Sequence, residues 1–347
     1  MKILFYVSKA YSIPIVEPLV KECNRQGIEF ALLISEKVHK RVPEYWEELE
    51  IFTFLNEAIY FKADFVICPG NFVDYRLPGI KVEIFHGIGV EKSSHYKIRH
   101  FFDMYLTSGP YVTERFNKLQ AKFQYFLVRE TGWPKIDHIL NYPKANIRAR
   151  LQLPEGKKII LFAPTHSSKM QSATSLMPII PEIILPDEIW VVKFHELMSK
   201  EIKEKFSEAH PQIRLINDPD ITPWLQAADL LISDTSSVIY EFMTLDKPVI
   251  TYRTQARKNK GIDIEKPEDL RPAINRSLEN PDEFATNRQK HLVEINPFLE
   301  GDICKRILST LEEVMENDLI PKKRKPLNLF RKAQIHYHEK FKKGYMR

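Results

Sequence analysis

Short apolar runs rich in β-branched residues recur along this 347-residue chain, and segments with helical periodicity lie between them. This alternation is typical of an α/β protein with mostly parallel sheets, because neighbouring parallel strands need a crossover that is usually a helix. Strands are predicted near residues 2–7, 28–34, 64–68, 81–85, 103–107, 125–128, 158–163, 189–194, 213–216, 230–233 and 248–252. Helices in the first half are predicted at 12–26, 42–61 and 111–119.

A segment rich in Pro, Asn and charged residues, 141–156, interrupts this pattern before it starts again. The length of the chain suits about two domains of roughly 150 residues each. We therefore expect two Rossmann-like domains, 1–145 and 146–320, whose mostly parallel sheets face a cleft. A basic helical tail is expected to follow at 321–347.

The positive charge of the chain is concentrated at its end. The formal net charge is +5, but residues 321–347 hold ten Lys and Arg against one acid, so the tail carries +9 and the first 320 residues −4. A nucleic-acid-binding protein would need its basic residues spread over a folded face, so we expect no nucleic-acid partner. The three cysteines are widely spaced without a CxxC pair, which supports neither a disulfide framework nor a zinc site.

The most distinctive local feature is a polar turn between an apolar strand and a helix, in the segment 229–242. Free backbone N–H groups at a helix N-terminus can bind phosphate together with serine hydroxyls, and a carboxylate one turn later can accept hydrogen bonds from ribose. The same residue types also serve as plain helix caps, so the segment alone leaves both interpretations open. The candidate residues are Asp234, Thr235, Ser236, Ser237 and Glu241.

A histidine and a glycine, His86 and Gly87, follow another predicted strand. Ligand groups collect at the carboxyl ends of parallel strands, and a histidine there can act as a general base because its pKa is near neutral. The glycine allows a substrate to approach the backbone. A histidine in a loop can equally be structural, so this pair alone is weak evidence for a site.

Two further strand ends carry polar residues. Lys193 and His195 lie on the same side of their strand under its two-residue alternation, so both could face the phosphates of a ligand or both could face solvent. Thr165 and His166 follow the first strand of the second domain and could contact a ligand or only shape their loop.

Several common signatures are absent. The sequence contains no GxxxxGK[ST] loop, no GxGxxG after the first strand, no GxSxG and no HExxH. These absences disfavour P-loop ATPases, ordinary NAD-binding enzymes, hydrolases with a nucleophile elbow and zinc peptidases. No carboxylate cluster suggests a metal site, so we expect none.

Six motifs follow one another in a recognisable order, at His86-Gly87, 107–116, 130–137, 162–165, 192–195 and 232–252. This order resembles the CDP-glycerol glycerophosphotransferase family of teichoic-acid and capsule synthesis. The resemblance covers roughly residues 80–310. It is most specific at 229–252, where Ser-Asp-Thr-Ser-Ser is followed by Glu-Phe and Lys-Pro-Val.

The resemblance implies a GT-B-like fold and a cofactor-free transferase. Such an enzyme moves an alditol-phosphate unit from a CDP-alditol, such as CDP-glycerol, to a hydroxyl of a lipid-linked or polysaccharide acceptor and releases CMP. By position, His86 would be the base for that hydroxyl, and His195, Ser236 and Ser237 would bind the phosphates of the donor. Glu241 would belong to the nucleotide pocket.

The chain departs from the family pattern at two places: Glu196 stands where proline is usual, and Glu91-Lys92 stands where basic residues are usual. Two other interpretations therefore stay open. A nucleotide-sugar GT-B enzyme, either a glycosyltransferase or one like UDP-GlcNAc 2-epimerase, has the same plan but normally has Gly-Gly at Ser236-Ser237. A non-catalytic binding protein could also retain the fold.

The tail likewise allows two interpretations. A basic run, 322–325, precedes apolar residues spaced by three and four, which is typical of an amphipathic helix on an anionic membrane. Alternatively the tail is solvated or packs on the N-terminal domain. Without a membrane-spanning run or a signal peptide, we expect a cytoplasmic protein, peripheral on the inner face of the cell membrane. The predicted apolar face is Leu327, Phe330, Ala333, Tyr337, Phe341 and Tyr345.

Overall fold

The computed structural model describes residues 1–165, 170–195 and 198–341. The chain forms two compact units. The first contains Met1–Ile88, Lys92–His138 and the segment from Ile295 onward, and the second contains Gly89–Glu91 and Ile139–Glu294. Each unit is built around one sheet.

The sheet of the first unit has seven strands in the order β3-β2-β1-β4-β5-β6-β7, and every pairing in it is parallel. Its interior strand β1 is apolar and almost wholly buried, as expected for a strand covered on both faces. The strands are Lys2–Val7 (β1), Glu29–Ile34 (β2), Ile51–Phe52 (β3), Phe65–Cys68 (β4), Ile80–Glu83 (β5), Met104–Thr107 (β6) and Leu127–Glu130 (β7).

The sheet of the second unit has six parallel strands in the order β10-β9-β8-β11-β12-β13. In both units the strand order reverses beside the first strand, which is the Rossmann pattern and the place where α/β sheets bind ligands. The strands are Lys158–Phe162 (β8), Glu188–Lys193 (β9), Ile213–Ile216 (β10), Leu230–Ser233 (β11), Val249–Tyr252 (β12) and Ile262–Ile264 (β13).

Fifteen α-helical segments connect and cover these strands within the described residues. They are Ile13–Gln26 (α1), Glu36–His39 (α2), Leu55–Tyr60 (α3), Pro110–Phe123 (α4), Lys135–Leu140 (α5), Ile147–Arg150 (α6), Ala173–Leu176 (α7), Ile180–Ile183 (α8), Lys200–Ala209 (α9), Thr222–Ala227 (α10), Val238–Met243 (α11), Leu270–Glu279 (α12), Ala285–Ile295 (α13), Ile303–Glu316 (α14) and Leu329–Phe341 (α15).

The predicted α/β class with two mostly parallel sheets is confirmed, and all eleven predicted strands are present with ends that shift by about two residues at most. Two edge strands, β3 and β13, escaped prediction because two or three residues carry too little periodicity. The helix predicted over 42–61 was wrong. Its middle is extended because Ile51 and Phe52 pair with β2, and only α3 at its end is α-helical.

The boundary predicted at residue 320 needs correction, because the second unit ends at Glu294 and the chain then returns to the first. The apolar face of α14 packs against α1. The carboxylate of Asp137 accepts hydrogen bonds from the amides of Ile303 (3.0 Å) and Cys304 (2.7 Å) at the start of α14. A cap supplied from 166 residues away cannot be read from local sequence.

The tail packs on the first unit, which was one of its two open interpretations. Ile335 of α15 is buried, and the His336 ring bonds the Tyr75 hydroxyl at 2.9 Å. The predicted apolar face is not the one that packs on the first unit: Leu327, just before the helix, and Phe330, in its first turn, are 70% and 76% exposed. Ala333 and Tyr337 are exposed too, whereas the side chain of Phe341 and the whole of Tyr345 lie outside the described residues.

No helix in the described part of the chain is both long and apolar enough to cross a membrane.

We expect Asp137→Ala to lower the free energy of unfolding by about 1–3 kcal/mol, because two buried amides lose their acceptor. Asp302→Ala is the matched control, since Asp302 directly precedes α14 but makes no side-chain cap. It should cost at most about 0.5 kcal/mol. Equal losses in urea unfolding of the two variants would show that Asp137 does not cap this helix.

Candidate active site

The reversal of strand order in the second unit, between β8 and β11, is organised by one buried carboxylate. Asp234 follows β11 and is fully buried. Its two oxygens accept hydrogen bonds from the amides of Thr165 (3.0 and 3.1 Å), Ser172 (2.9 Å) and Thr235 (2.6 Å), and from the Ser172 hydroxyl (3.0 Å). The pKa of Asp234 is raised, because the effect of burial exceeds that of these hydrogen bonds, which lower it. The carboxylate thus ties the loop after β8 to the turn after β11.

This arrangement changes the interpretation of two predicted substrate contacts. Both carboxylate oxygens of Asp234 accept hydrogen bonds from the protein, and the amide of the buried Thr165 is one of the donors. The carboxylate of Asp234 and the amide of Thr165 therefore hold these two loops together. His166 lies outside the described residues.

The turn after Asp234 does present polar groups. Ser236 and Ser237 are half-buried, and Ser237 stands at the N-cap of α11 without a side-chain cap bond. No partner among the described residues accepts from the amides of Ser236, Ser237 and Val238. The hydroxyl of Thr235 is buried, also without a partner in this part of the chain. The arrangement thus lacks the hydrogen bond that plain capping requires.

The alternation predicted at the end of β9 is present. Phe194 is buried in the core of the second unit, while Lys193 is half-buried and His195 exposed. Glu241 lies in the first turn of α11 and is only 5% exposed. Lys193 and His195 thus come from a strand adjacent to β8, and Glu241 from the helix that follows the serine turn.

A cluster in the second unit was missed by the sequence analysis. Glu91 accepts hydrogen bonds from the Tyr240 hydroxyl (2.5 Å) and from Lys260 (3.3 Å), whose side chain has no exposed surface. Arg257 lies 3.8 Å from the same carboxylate. The acid that departs from the family pattern is therefore paired with one buried cation, Lys260, and lies near a half-buried one, Arg257.

His86 belongs to the first unit and follows β5. The residue before it, Phe85, is buried with a φ of +60°, a conformation that costs a bulky residue about 1–3 kcal/mol and needs surrounding support. The indole N–H of Trp133 donates to the Phe85 carbonyl at 3.1 Å. The backbone that carries His86 and Gly87 is therefore held by a residue 48 positions away.

Trp133 is itself fixed by its surroundings. Its amide donates to the Asn296 side chain at 3.0 Å. Gly132 has a φ of +91°, and a Cβ at this glycine would lie 2.8 Å from the Ile303 side chain. The motif 130–137 thus has a structural role around the candidate base, which its sequence position did not reveal.

The environment of His86 keeps its ring neutral. The side chain is exposed, yet neighbouring protein atoms desolvate the ring enough to lower its pKa, and the charges of Lys92 and Arg99 lower it further. His95 stacks on Phe85 with ring centroids 4.6 Å apart, and burial is the main cause that lowers the pKa of His95 to about 3. Both rings are therefore neutral at pH 7.

The predicted site residues form two groups, one in each unit. Thr165, Asp234 and Thr235 are joined by hydrogen bonds, with Ser236 and Ser237 next in the chain. His86 and Gly87 belong to the other unit. Within the described residues, no group of three His, Cys, Asp or Glu side chains is arranged to hold a metal ion.

The lowered pKa of His95 makes a prediction for stability. Below pH 6.5 the unfolded chain gains a proton that folded His95 does not bind, so the free energy of unfolding should fall as pH decreases towards about 3. The contribution is at most about 1.4 kcal/mol per pH unit. His95→Phe retains the stacking and should flatten this dependence in urea unfolding between pH 4 and 6.5. An unchanged slope would contradict a neutral folded His95.

Residues 85–310, well over half of the chain, match the family described as CDP-glycerol:poly(glycerophosphate) glycerophosphotransferase. The chain is 31% identical over 183 residues to a teichoic acid glycerol-phosphate primase of Bacillus spizizenii, covering 48% of this chain and 47% of the primase. It spans less than half the length of the curated relatives that it matches.

Two solved structures show the same fold. The wall teichoic acid polymerase TagF superposes with a TM-score of 0.68 at 16% identity, covering 92% of this chain and 90% of that chain. UDP-GlcNAc 2-epimerase from Neisseria meningitidis superposes with a TM-score of 0.61 at 14% identity, covering 90% and 100%. The predicted GT-B-like fold is confirmed. By its matching segment, the chain belongs to the CDP-glycerol:poly(glycerophosphate) glycerophosphotransferase family.

Proposed function

We propose that this protein transfers glycerol phosphate, or another alditol phosphate, from a CDP-alditol to a hydroxyl of a lipid-linked or polysaccharide acceptor in cell-wall or capsule polymer synthesis, releasing CMP. Family membership supports the reaction class. The observation that carries the proposal is the serine turn. Among the described residues, the amides of Ser236, Ser237 and Val238 and the two serine hydroxyls have no acceptor, and the turn follows Asp234, which is held by hydrogen bonds. Such a turn suits an anionic phosphate.

The donor is assigned to the second unit. The amides and hydroxyls of Ser236 and Ser237 would donate to the phosphate oxygens. Lys193 would add a positive charge from the end of β9, and His195 would add a hydrogen-bond donor. Donors aimed at these oxygens stabilise the negative charge of the transition state. Glu241 would line the nucleotide pocket. These groups would provide the positive potential without a metal ion or another cofactor.

His86 is assigned as the general base. The acceptor hydroxyl oxygen would form a bond to the β-phosphorus of the donor while the bond from that phosphorus to the bridging oxygen breaks. The hydroxyl proton would pass to His86, and CMP would leave with the electron pair of the broken bond. A neutral imidazole is required for this step, and the lowered pKa of His86 supports it. Gly87 would leave room for the acceptor.

A nucleotide-sugar reaction is the second candidate, and the fold shared with a UDP-GlcNAc 2-epimerase favours it. Ser236 and Ser237 argue for the phosphotransferase instead, because their hydroxyls offer donors to phosphate that a Gly-Gly pair lacks. Incubation with CDP-glycerol, CDP-ribitol and UDP-sugars separates the two. Release of CMP supports the proposal, release of UDP supports the alternative, and no nucleotide binding supports a non-catalytic protein.

We expect His86→Ala to lower the rate of CMP release by about 10²–10⁴-fold, because general-base catalysis contributes this much. The Kd for CDP-glycerol should stay within about twofold, since the donor binds elsewhere. Trp133→Phe should give a smaller loss, because it only frees the Phe85 carbonyl that Trp133 holds. In the pH profile of kcat/KM, the apparent pKa on the acidic side should lie below 6.5, because the pKa of His86 is lowered.

His39→Gln serves as the control, since His39 is an exposed histidine of the same unit. It should retain full activity. Unchanged CMP release by His86→Ala would remove His86 as the base, although the transfer reaction itself would still be supported.

We also propose that the tail places the enzyme on the inner face of the cell membrane. Leu327, Leu329, Phe330 and Tyr337 are between 58% and 76% exposed, and the basic residues 322–324 next to them are exposed too. Apolar side chains beside a basic run suit a surface of anionic lipid. Ile335 and the contacts of His336 hold the helix on the first unit, so this apolar face stays directed away from it.

We expect the full chain to bind vesicles rich in phosphatidylglycerol at low salt and to bind them less at about 0.5 M NaCl, because salt screens surface charge. The double variant Leu327→Ser and Phe330→Ser should bind several-fold less, since each apolar side chain contributes up to about 1.5–3 kcal/mol on burial. Leu185→Ser is the control, as Leu185 is an exposed apolar residue of the second unit. Equal sedimentation of all three proteins with vesicles would contradict the proposal.

A further inference from the structure

A tyrosine of the first unit, Tyr11, lies beside the candidate base. It follows β1 in a single 3₁₀ turn, Ala10–Ser12. The centre of its ring is 6.0 Å from the centre of the His86 ring, and the two planes are inclined at 50°. This separation is within the range of interacting aromatic pairs. Tyr11 is half-buried and His86 is exposed, so the pair lies at the surface of the unit.

The turn that carries Tyr11 is held in place. Its two other residues are buried. The amide of Ser12 donates to the Lys9 carbonyl at 3.0 Å. The hydroxyl of Ser35, which follows β2, donates to the Ser8 carbonyl at 3.4 Å. The side chain of Tyr11 is therefore the one that this turn presents to the surface.

The end of β4 leaves space at the same edge of the sheet. The Cys68 thiol donates to the carbonyls of Gly70 (3.3 Å) and Phe72 (3.0 Å), which fixes the chain after the strand. A Cβ at Gly70 would have only the Cys68 Sγ within 4 Å among the described residues outside its own chain neighbours, at 3.9 Å. The protein therefore does not fill the space beside Gly70.

The topology of the sheet brings these three strand ends together. β1, β4 and β5 are consecutive in the sheet and parallel, and the strand order reverses between β1 and β4. Ligands bind at such a reversal, beyond the carboxyl ends of the strands. Tyr11, Gly70 and His86 follow these three strands in that order. An aromatic ring, a small residue and a histidine thus meet where a ligand is expected.

The chemistry of this edge suits an uncharged polyol. Tyr11 contributes an apolar ring face and a hydroxyl, and His86 contributes a neutral ring at pH 7. Apolar faces pack on the C–H groups of a ligand, while a few polar atoms fix its orientation. A polyol chain offers both kinds of group.

We propose that Tyr11 belongs to the acceptor site, where its ring forms a wall beside His86 and binds the terminal polyol unit that carries the attacking hydroxyl. This inference rests on the proposed function, which assigns His86 as the general base. The wall would hold the hydroxyl within hydrogen-bond reach of the imidazole, and such positioning raises the rate of the proton transfer. None of the six sequence motifs includes Tyr11, so the sequence gave no signal for this role.

Binding is tested first, on the full chain, with glycerol as the probe and the ring resonances of His86 as the NMR readout. Tyr11→Ala should raise the Kd for glycerol about tenfold, which corresponds to ~1.4 kcal/mol. Tyr11→Phe keeps the ring and should recover most of the affinity. Tyr60→Ala is the control and should bind as the unchanged protein does, since Tyr60 is an 82% exposed tyrosine of the same unit.

Equal Kd values for Tyr11→Ala and the unchanged protein would overturn the proposal. If Tyr11→Ala does not fold, Tyr11→Leu takes its place, because leucine keeps an apolar side chain in the turn but removes the ring. The same tenfold rise is then expected, and an unchanged Kd in Tyr11→Leu would overturn the proposal in the same way.

Kinetics then test the assignment to the acceptor. Tyr11→Ala should raise the KM for a lipid-linked acceptor that ends in glycerol about tenfold, while the KM for CDP-glycerol stays within about twofold. An equal rise in both KM values would indicate a general structural defect and would overturn the assignment. If no acceptor supports CMP release while Tyr11 still determines the binding of glycerol, the proposed function fails and the polyol site stands.

Discussion

A carboxylate removed from water needs hydrogen-bond donors, and Asp234 obtains them from the two loops on either side of the strand reversal in the second unit. Three amides and one hydroxyl converge on its two oxygens. Because the donors come from segments that follow β8 and β11, movement of either loop would cost the buried acid some of its hydrogen bonds. The serine turn directly follows Asp234 in the chain, so its amides are held in a defined position. Preorganised donors of this kind lose little freedom when a phosphate binds.

The first unit reaches a similar rigidity by another route. The backbone at Phe85 adopts a conformation that a bulky residue avoids, and the Trp133 indole holds its carbonyl from a distant turn. Gly132 lets that turn approach Ile303 on α14, and Asp137 caps the same helix. Strain before a candidate base and support from a packed motif together give His86 one defined position. The motif 130–137 therefore serves the site without supplying a reacting group.

Strand periodicity predicted the strands and the residues that follow them, because alternation and apolar runs are local properties of the sequence. It located Lys193 and His195 on one side of β9 and the serine turn after β11. Periodicity cannot predict contacts between residues that are far apart in the sequence. The role of Asp234 depends on Ser172, 62 residues away, and the return of α14 to the first unit depends on Asp137. For the same reason an isolated acid such as Glu91 looked like a departure from a family pattern until its partner Lys260 was located.

The basic residues of the tail form two groups, one packed on the first unit and one exposed to solvent. Lys325 pairs with Asp103 and Asn328 donates to the Arg99 carbonyl, whereas Lys322 and Lys323 are exposed, as are Leu327 and Phe330. One amphipathic segment therefore has an inward face that belongs to the unit of His86 and an outward face suited to anionic lipid. If the outward face binds a membrane, the unit that carries the proposed base is held where a lipid-linked acceptor resides. A soluble CDP-alditol needs no such localisation, which is consistent with a basic tail on the first unit and none on the second.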